Sequence, residues 1–205
     1  MTRRSHLAAW LLLWLLGLLA WPAWCGPERL AQRARDDVAT LHRTFGPRIA
    51  VPLARLADES RRAVGRTGPE GVPSRGDRSL RGRSTLADRA VDQADRYLEA
   101  LSLQVHGTVL RAATLVAWWV LLMPLALAAA FDGLAERAIK FDTFGYQNPA
   151  AFSLAGHALI ACAMLPLLAL VAPVSPPPWL TPTWLLAVLL PLRATLAHMQ
   201  PVFTR

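Results

Sequence analysis

Three ionisable residues stand at or near the ends of long uncharged runs: Asp132, His157 and Arg193. Ionisable groups within an apolar span face the bundle interior and pair. An acid, an imidazole and a guanidinium at one depth could therefore form an interhelical cluster that fixes packing or senses a proton gradient. The plainer alternative has Asp132 at an interface, Arg193 extending its guanidinium to water, and His157 making one local hydrogen bond. No conventional catalytic set accompanies them: there is no Ser-His-Asp or His-Cys grouping at recognisable spacing, no HExxH, and no glycine-rich phosphate loop behind a strand. Cys25 and Cys162 form no CxxC pair, so neither a zinc site on paired cysteines nor a disulfide framework is available. The expectation is a chain that is not an enzyme and carries no cofactor and no metal.

The elements that must position these residues are hydrophobic spans. Of the 205 residues, 54% are apolar and 18% charged, against about a quarter charged in an average soluble domain. Four stretches approach the roughly 20 residues needed to cross a bilayer core: Leu7 to Trp24, Ala112 to Phe131, Leu154 to Val171, and Trp179 to His198. The first resembles a signal peptide at its charged start, but Trp21, Pro22 and Trp24 crowd the place where small residues should precede a cleavage site. It is read as an uncleaved anchor over 1–24, with Trp21 and Trp24 at the membrane interface. Pro124 lies inside the second run, which lipid tolerates when a neighbour satisfies the freed carbonyl. Only VSPPP separates the third and fourth runs, so the segment 154–205 is an antiparallel hairpin with a short tail. Ala155, Gly156, Ala158 and Ala161 give the third run a small-residue face suited to close packing.

Orientation follows from basic residues in the short loops. Arg3 and Arg4 inside puts 25–107 outside, the second helix at 108–131, and a loop over 132–153, with Arg137 and Lys140, inside. The predicted orientation has both termini cytoplasmic and residues 25–107 extracytoplasmic. That arm holds 15 of the 22 basic and 11 of the 14 acidic residues. Its local excess is thus four, far short of the basic stripe a nucleic-acid surface needs, and no direct nucleic-acid contact is expected.

The arm reads as helices and a linker. Leu30, Ala34, Val38, Leu41 and Phe45 recur at helical spacing, Gly46-Pro47 breaks the helix, and Ile49, Leu53, Leu56 and Val64 continue on a second one. Residues 65–83 are rich in Gly, Pro and Arg and are predicted to be flexible. Thr85 with Asp88 resembles a capping box. Leu86, Ala90, Ala94, Tyr97, Leu101 and Val105 then line one face up to the second span. This stripe needs a cover: the helix at 28–45, a second copy of the chain, or another protein. The fold class is all-α integral membrane, with four transmembrane helices and a helical, partly flexible extracytoplasmic arm between the first two.

The segment from Asp132-Gly133-Leu134 through Arg137, Ile139 and Lys140 to FDTFGYQNPAAFSLAGH, followed by a proline-linked hairpin, resembles the integrating-conjugative-element membrane proteins. Asp132, Gly133, Leu134, Arg137, Phe144, Gly145, Phe152 and His157 carry the likeness; Asn148-Pro149 departs from it. The resemblance implies association with conjugative DNA transfer or its type IV secretion apparatus, and no activity. Phe141, Phe144, Tyr146 and Phe152 place four of the eight Phe and Tyr residues within 12 positions. They suit either the interfacial belt or a partner-contact loop. The expected role is a non-enzymatic bacterial inner-membrane accessory or scaffold protein with its arm in the periplasm, whose partners are lipid and other membrane subunits of the apparatus, a homo-oligomer being open if a second copy covers the stripe. The rival is a small transporter or proton-coupled component built on Asp132, His157 and Arg193.

Overall fold

A computed structural model describes residues 3–65, 86–143, 148–172 and 174–199, and every regular element among them is a helix. In chain order these are α1 (Arg3–Phe45), α2 (Pro47–Gly65), α3 (Leu86–Asp142), α4 (Pro149–Val171) and α5 (Leu180–Ala197). Of the linker expected at 65–83, Gly65 ends α2, and residues 66–83 lie outside the described residues, as do the capping residue Thr85 and the aromatic residues Phe144 and Tyr146.

Local chemistry sets the breaks. α1 is two helices joined at Gly26, whose φ of 71° is a left-handed value that L side chains avoid. Pro27 then opens the second half, where its missing N–H has no helical partner to lose. The same pair recurs at the α1–α2 turn. Gly46, with φ 70°, donates its N–H to His42 O, and its own carbonyl accepts from Ala50 N. One residue thus ends one helix and starts the next.

The second apolar run does not give way to a loop at Phe131, which corrects part of the expected 132–153 boundary. α3 continues to Asp142, making 57 residues, or about 86 Å at 1.5 Å per residue. The sequence between Asp132 and Asp142 holds no proline, and Lys140 Nζ meets Glu136 Oε1 at 2.6 Å one turn away, a pairing that supports continued helix.

The chain forms two compact units. The first comprises Met1–Thr114 with Leu168–Ser175. Cys25, Leu30, Ala100 and Leu103 form one core cluster; Leu41, Ala50, Ala57 and Leu110 form another, with Val38, Phe45, Leu53 and Val109 packed against it. Beyond Gly26, rising positions on α1 meet rising positions on α3, with Glu28 by Arg96 and Asp37 by Arg111, so this half of α1 runs parallel to α3. Asp58 on α2 lies beside His106 while Ala50 lies by Leu110, so α2 runs antiparallel to α3. The apolar stripe of 30–45 is therefore covered within the chain.

One expectation changes here. The predicted α3 stripe is displaced: Ala90 and Ala94 are exposed and Leu101 and Val105 half-buried, whereas Ala100, Leu103 and Leu110 are buried along with Ser102, Gln104, His106 and Thr108. Packing surrounds this part of the helix from several sides, so its buried surface is wider than an apolar stripe. Trp21 packs against the first core cluster, while Trp24 is 81% exposed.

The second unit comprises Leu115–Leu167 and Pro176–Arg205. Here α4 and α5 are tied by Trp184, whose Nε1 donates to Cys162 O at 2.9 Å. At Gly133 the backbones of α3 and α5 approach closely: an added Cβ would lie 2.6 Å from Arg193 O. On α4 no such approach occurs at Gly156, where an added Cβ meets nothing within 4 Å. Four helical stretches, within Ala8–Phe45, Arg89–Asp142, Pro149–Val171 and Leu180–Ala197, are long and apolar enough to cross a membrane. Their large side chains, among them Leu16, Val120, Leu154 and Leu190, are exposed.

Candidate functional site

Asp132 and Arg193, predicted to share a depth, are joined. Arg193 Nε donates to Asp132 Oδ2, and its Nη2 reaches Glu136 Oε2 at 2.9 Å. Position sets this up: Asp132 and Glu136 are one helical turn apart on α3, so both carboxylates face the same neighbour. Gly133 between them lets α5 come near enough for Arg193 to bridge both. Lys140, hydrogen-bonded to Glu136, holds that carboxyl below its ordinary value, against the burial that would raise it. Glu136 itself was not singled out from sequence, although its i,i+4 relation to both Asp132 and Lys140 was there to read.

His157 is directed elsewhere. Its Nδ1 lies 2.7 Å from Ser153 O on its own helix, and the residue is exposed. The three-residue layer is therefore, in this structure, an Asp132–Arg193–Glu136 ion cluster with His157 in a local bond.

Of the loop aromatics, Phe141 is exposed and the guanidinium carbon of Arg137 lies 5.4 Å from its ring centroid, within cation–π reach. Phe152 is also exposed. The Asn148-Pro149 pair has a plain structural use. Asn148 Oδ1 accepts from Ala150 N at 3.0 Å and Ala151 N at 3.2 Å, capping α4, and Pro149 occupies the first helical position.

A second polar centre, missed from sequence, lies in the first unit. Arg111 Nε donates to Asp37 Oδ2 at 2.9 Å, with side-chain exposures of 11% and 9%. Arg111 Nη1 donates to Ala172 O at 2.6 Å, and Gln104 Nε2 to Val171 O at 2.7 Å. These carbonyls at the end of α4 have no helical donor, and a cation near a helix C-terminus also complements its dipole. From sequence Arg111 was only a flank of the second span. Its partners lie 74 and 61 positions away, beyond the reach of any periodicity argument.

Neither centre has the layout of a nucleophile with its base. Both are charge pairs that lock helix to helix. No curated protein and no solved structure matches the chain. A family model does match, over residues 56–204, which takes in the second half of α2 and all of α3, α4 and α5; its description is IncC plasmid conjugative DNA transfer protein DtrJ-like. This agrees with the link to conjugative transfer that the segment from Asp132 to His157 implied. The chain belongs to the DtrJ-like family of conjugative DNA transfer proteins.

Proposed function

We propose that the chain is a non-enzymatic accessory or scaffold protein of a conjugative, type IV secretion-like apparatus, held in the bacterial inner membrane by four helices. In this reading both termini and the 132–153 region are cytoplasmic, and residues 25–107 form a periplasmic helical arm. The observation that carries it is the conjunction of a conjugative-transfer family with four helices whose lipid-length stretches turn large apolar side chains outward. Such surface is costly in water and neutral in hydrocarbon. The charged centres support a mechanical role, since each ties one helix to another. The work is positioning: the arm and the exposed aromatics at Phe141 and Phe152 offer surfaces to other membrane subunits.

Deleting the gene in donor cells and measuring transfer frequency tests the role. Loss of transfer, restored by the intact chain, with other transfer subunits crosslinked to it in native membranes, is the expected result. Normal transfer without the chain, or release of the chain from vesicles by alkaline carbonate, overturns it. Reporter fusions at Gly76 and Gly145 test orientation, with periplasmic signal expected at the first and cytoplasmic at the second. Substituting Asp132, His157 or Arg193 separates the rival: lost proton flux with intact assembly would make the chain a transporter.

A further inference from the structure

The turn between α1 and α2 differs in character from the rest of the arm. Between Asp37 and Asp58 the chain contains no acidic residue, yet it carries His42, Arg43, Arg48 and Arg55. All three arginines are exposed. Beside them Ile49, Val51 and Leu56 are exposed at 45%, 37% and 52%. An acid-free surface that pairs arginine with outward aliphatic side chains is the pattern of a segment lying at a lipid interface.

Its position agrees. Leu41, Ala50 and Leu110 share one core cluster, and Arg111 is paired with Asp37. The turn is thereby held level with the start of the apolar run at Ala112. The far end of α2 lies elsewhere: Asp58, Arg61 and Arg62 line a cleft with Asp95, Glu99 and Ser102, further back along α3. From Ile49 to Arg61 is about 18 Å along the helix axis. Acidic residues return at that end, as the same cleft shows.

From this geometry we infer that the α1–α2 turn is a membrane-contact element: Ile49 and Val51 rest in the interface of the bilayer that α3 enters, and Arg43 and Arg48 engage anionic lipid headgroups. The occupant of this surface is lipid, because the residues that fix the turn's height also place it where an apolar span begins, and because Arg43 and Arg48, with no carboxylate within a helical turn along the chain, complement phosphate. The arm is then seated on the bilayer at its tip. This inference rests on the membrane reading proposed above.

The test uses the full chain, one copy per lipid nanodisc of mixed phosphatidylglycerol and phosphatidylcholine. A fluorophore is attached at Ile49→Cys, Arg61→Cys or Val120→Cys, with the unsubstituted chain labelled in parallel to set the background from Cys25 and Cys162. Quenching by nitroxide lipid is compared with quenching by aqueous iodide. The expected result is a lipid-to-water quenching ratio at least about twofold higher at Ile49→Cys than at Arg61→Cys, falling when Arg43 and Arg48 are changed to Gln. If Val120→Cys is quenched by lipid while Ile49→Cys matches Arg61→Cys, the contact is refuted and the membrane reading stands. Should Val120→Cys also be quenched mainly by iodide, both fail. A label at Ile49→Cys that is iodide-accessible in nanodiscs but shielded in native vesicles would overturn lipid in favour of a protein cover.

Discussion

The indole N–H of Trp184 donates to the carbonyl oxygen of Cys162, and that carbonyl is the one Pro166, four residues on, leaves without a helical donor. Proline within a helix removes one backbone bond, and in an apolar setting the orphaned carbonyl must find a partner. Here α5 supplies it to α4, so the proline and the tryptophan form one device.

Trp184→Phe keeps the ring and removes the donor. It should lower stability in detergent by about 1 kcal/mol. In a Pro166→Ala background the same change should cost little, because the substituted residue brings its own N–H. A double-mutant cycle read by thermal unfolding checks the coupling; additive costs would dissolve the link.

Arg111→Ala strands the buried Asp37 carboxylate and leaves Ala172 O without its donor. The expected loss is about 3 kcal/mol. Arg111→Lys should recover only part of it, since one ammonium does not reproduce a planar fork of donors. The pair Asp37→Leu with Arg111→Met should lose less than the two single changes summed. Denaturant unfolding of the purified chain measures all of these.

Gly133 and Gly156 should respond oppositely to alanine. At Gly133 the new Cβ would sit 2.6 Å from the backbone oxygen of Arg193 and 3.0 Å from Leu196 Cβ, a carbonyl and a Cβ fixed to the backbone, neither of which can swing away. About 1–3 kcal/mol should be lost as α3 and α5 separate. At Gly156 the space is open, and the higher helix propensity of alanine should add up to about 1 kcal/mol. Melting temperatures of the two variants settle the contrast.

Glu136, five residues past the apolar run, carries a carboxyl held low by Lys140. A carboxylate whose folded value is depressed adds stability above its unfolded value and loses it as pH falls through the folded one. The stability gap between the wild type and Glu136→Gln should thus be present at neutral pH and shrink in acid. In a Lys140→Ala background the gap at neutral pH should be smaller. Unfolding curves across that range are the measurement.

Much of the architecture was legible because it is written locally. The apolar runs, the Gly46-Pro47 break and the hydrophobic face from Leu30 to Phe45 follow from composition, turn chemistry and helical period. Asp132 and Arg193 were also recoverable, since charges at the ends of uncharged spans are few. What escaped was whatever depends on a distant partner. Arg111 looks like a boundary residue until Asp37 is beside it, and Gln104 looks like surface until the end of α4 arrives. The α3 stripe was misplaced for the same reason: residues 100–110 are buried by neighbours on several sides, and periodicity reports only one. His157 was grouped by depth along its helix, and depth does not specify azimuth.

Ala172 and Val171 are synthesised 61 and 67 positions after the side chains that bind them. The first unit therefore stays unfinished on the ribosome until the end of α4 has been delivered. A nascent chain arrested short of Val171 leaves Gln104 and Arg111 with no acceptors there, so completion of the arm is timed to the arrival of the hairpin.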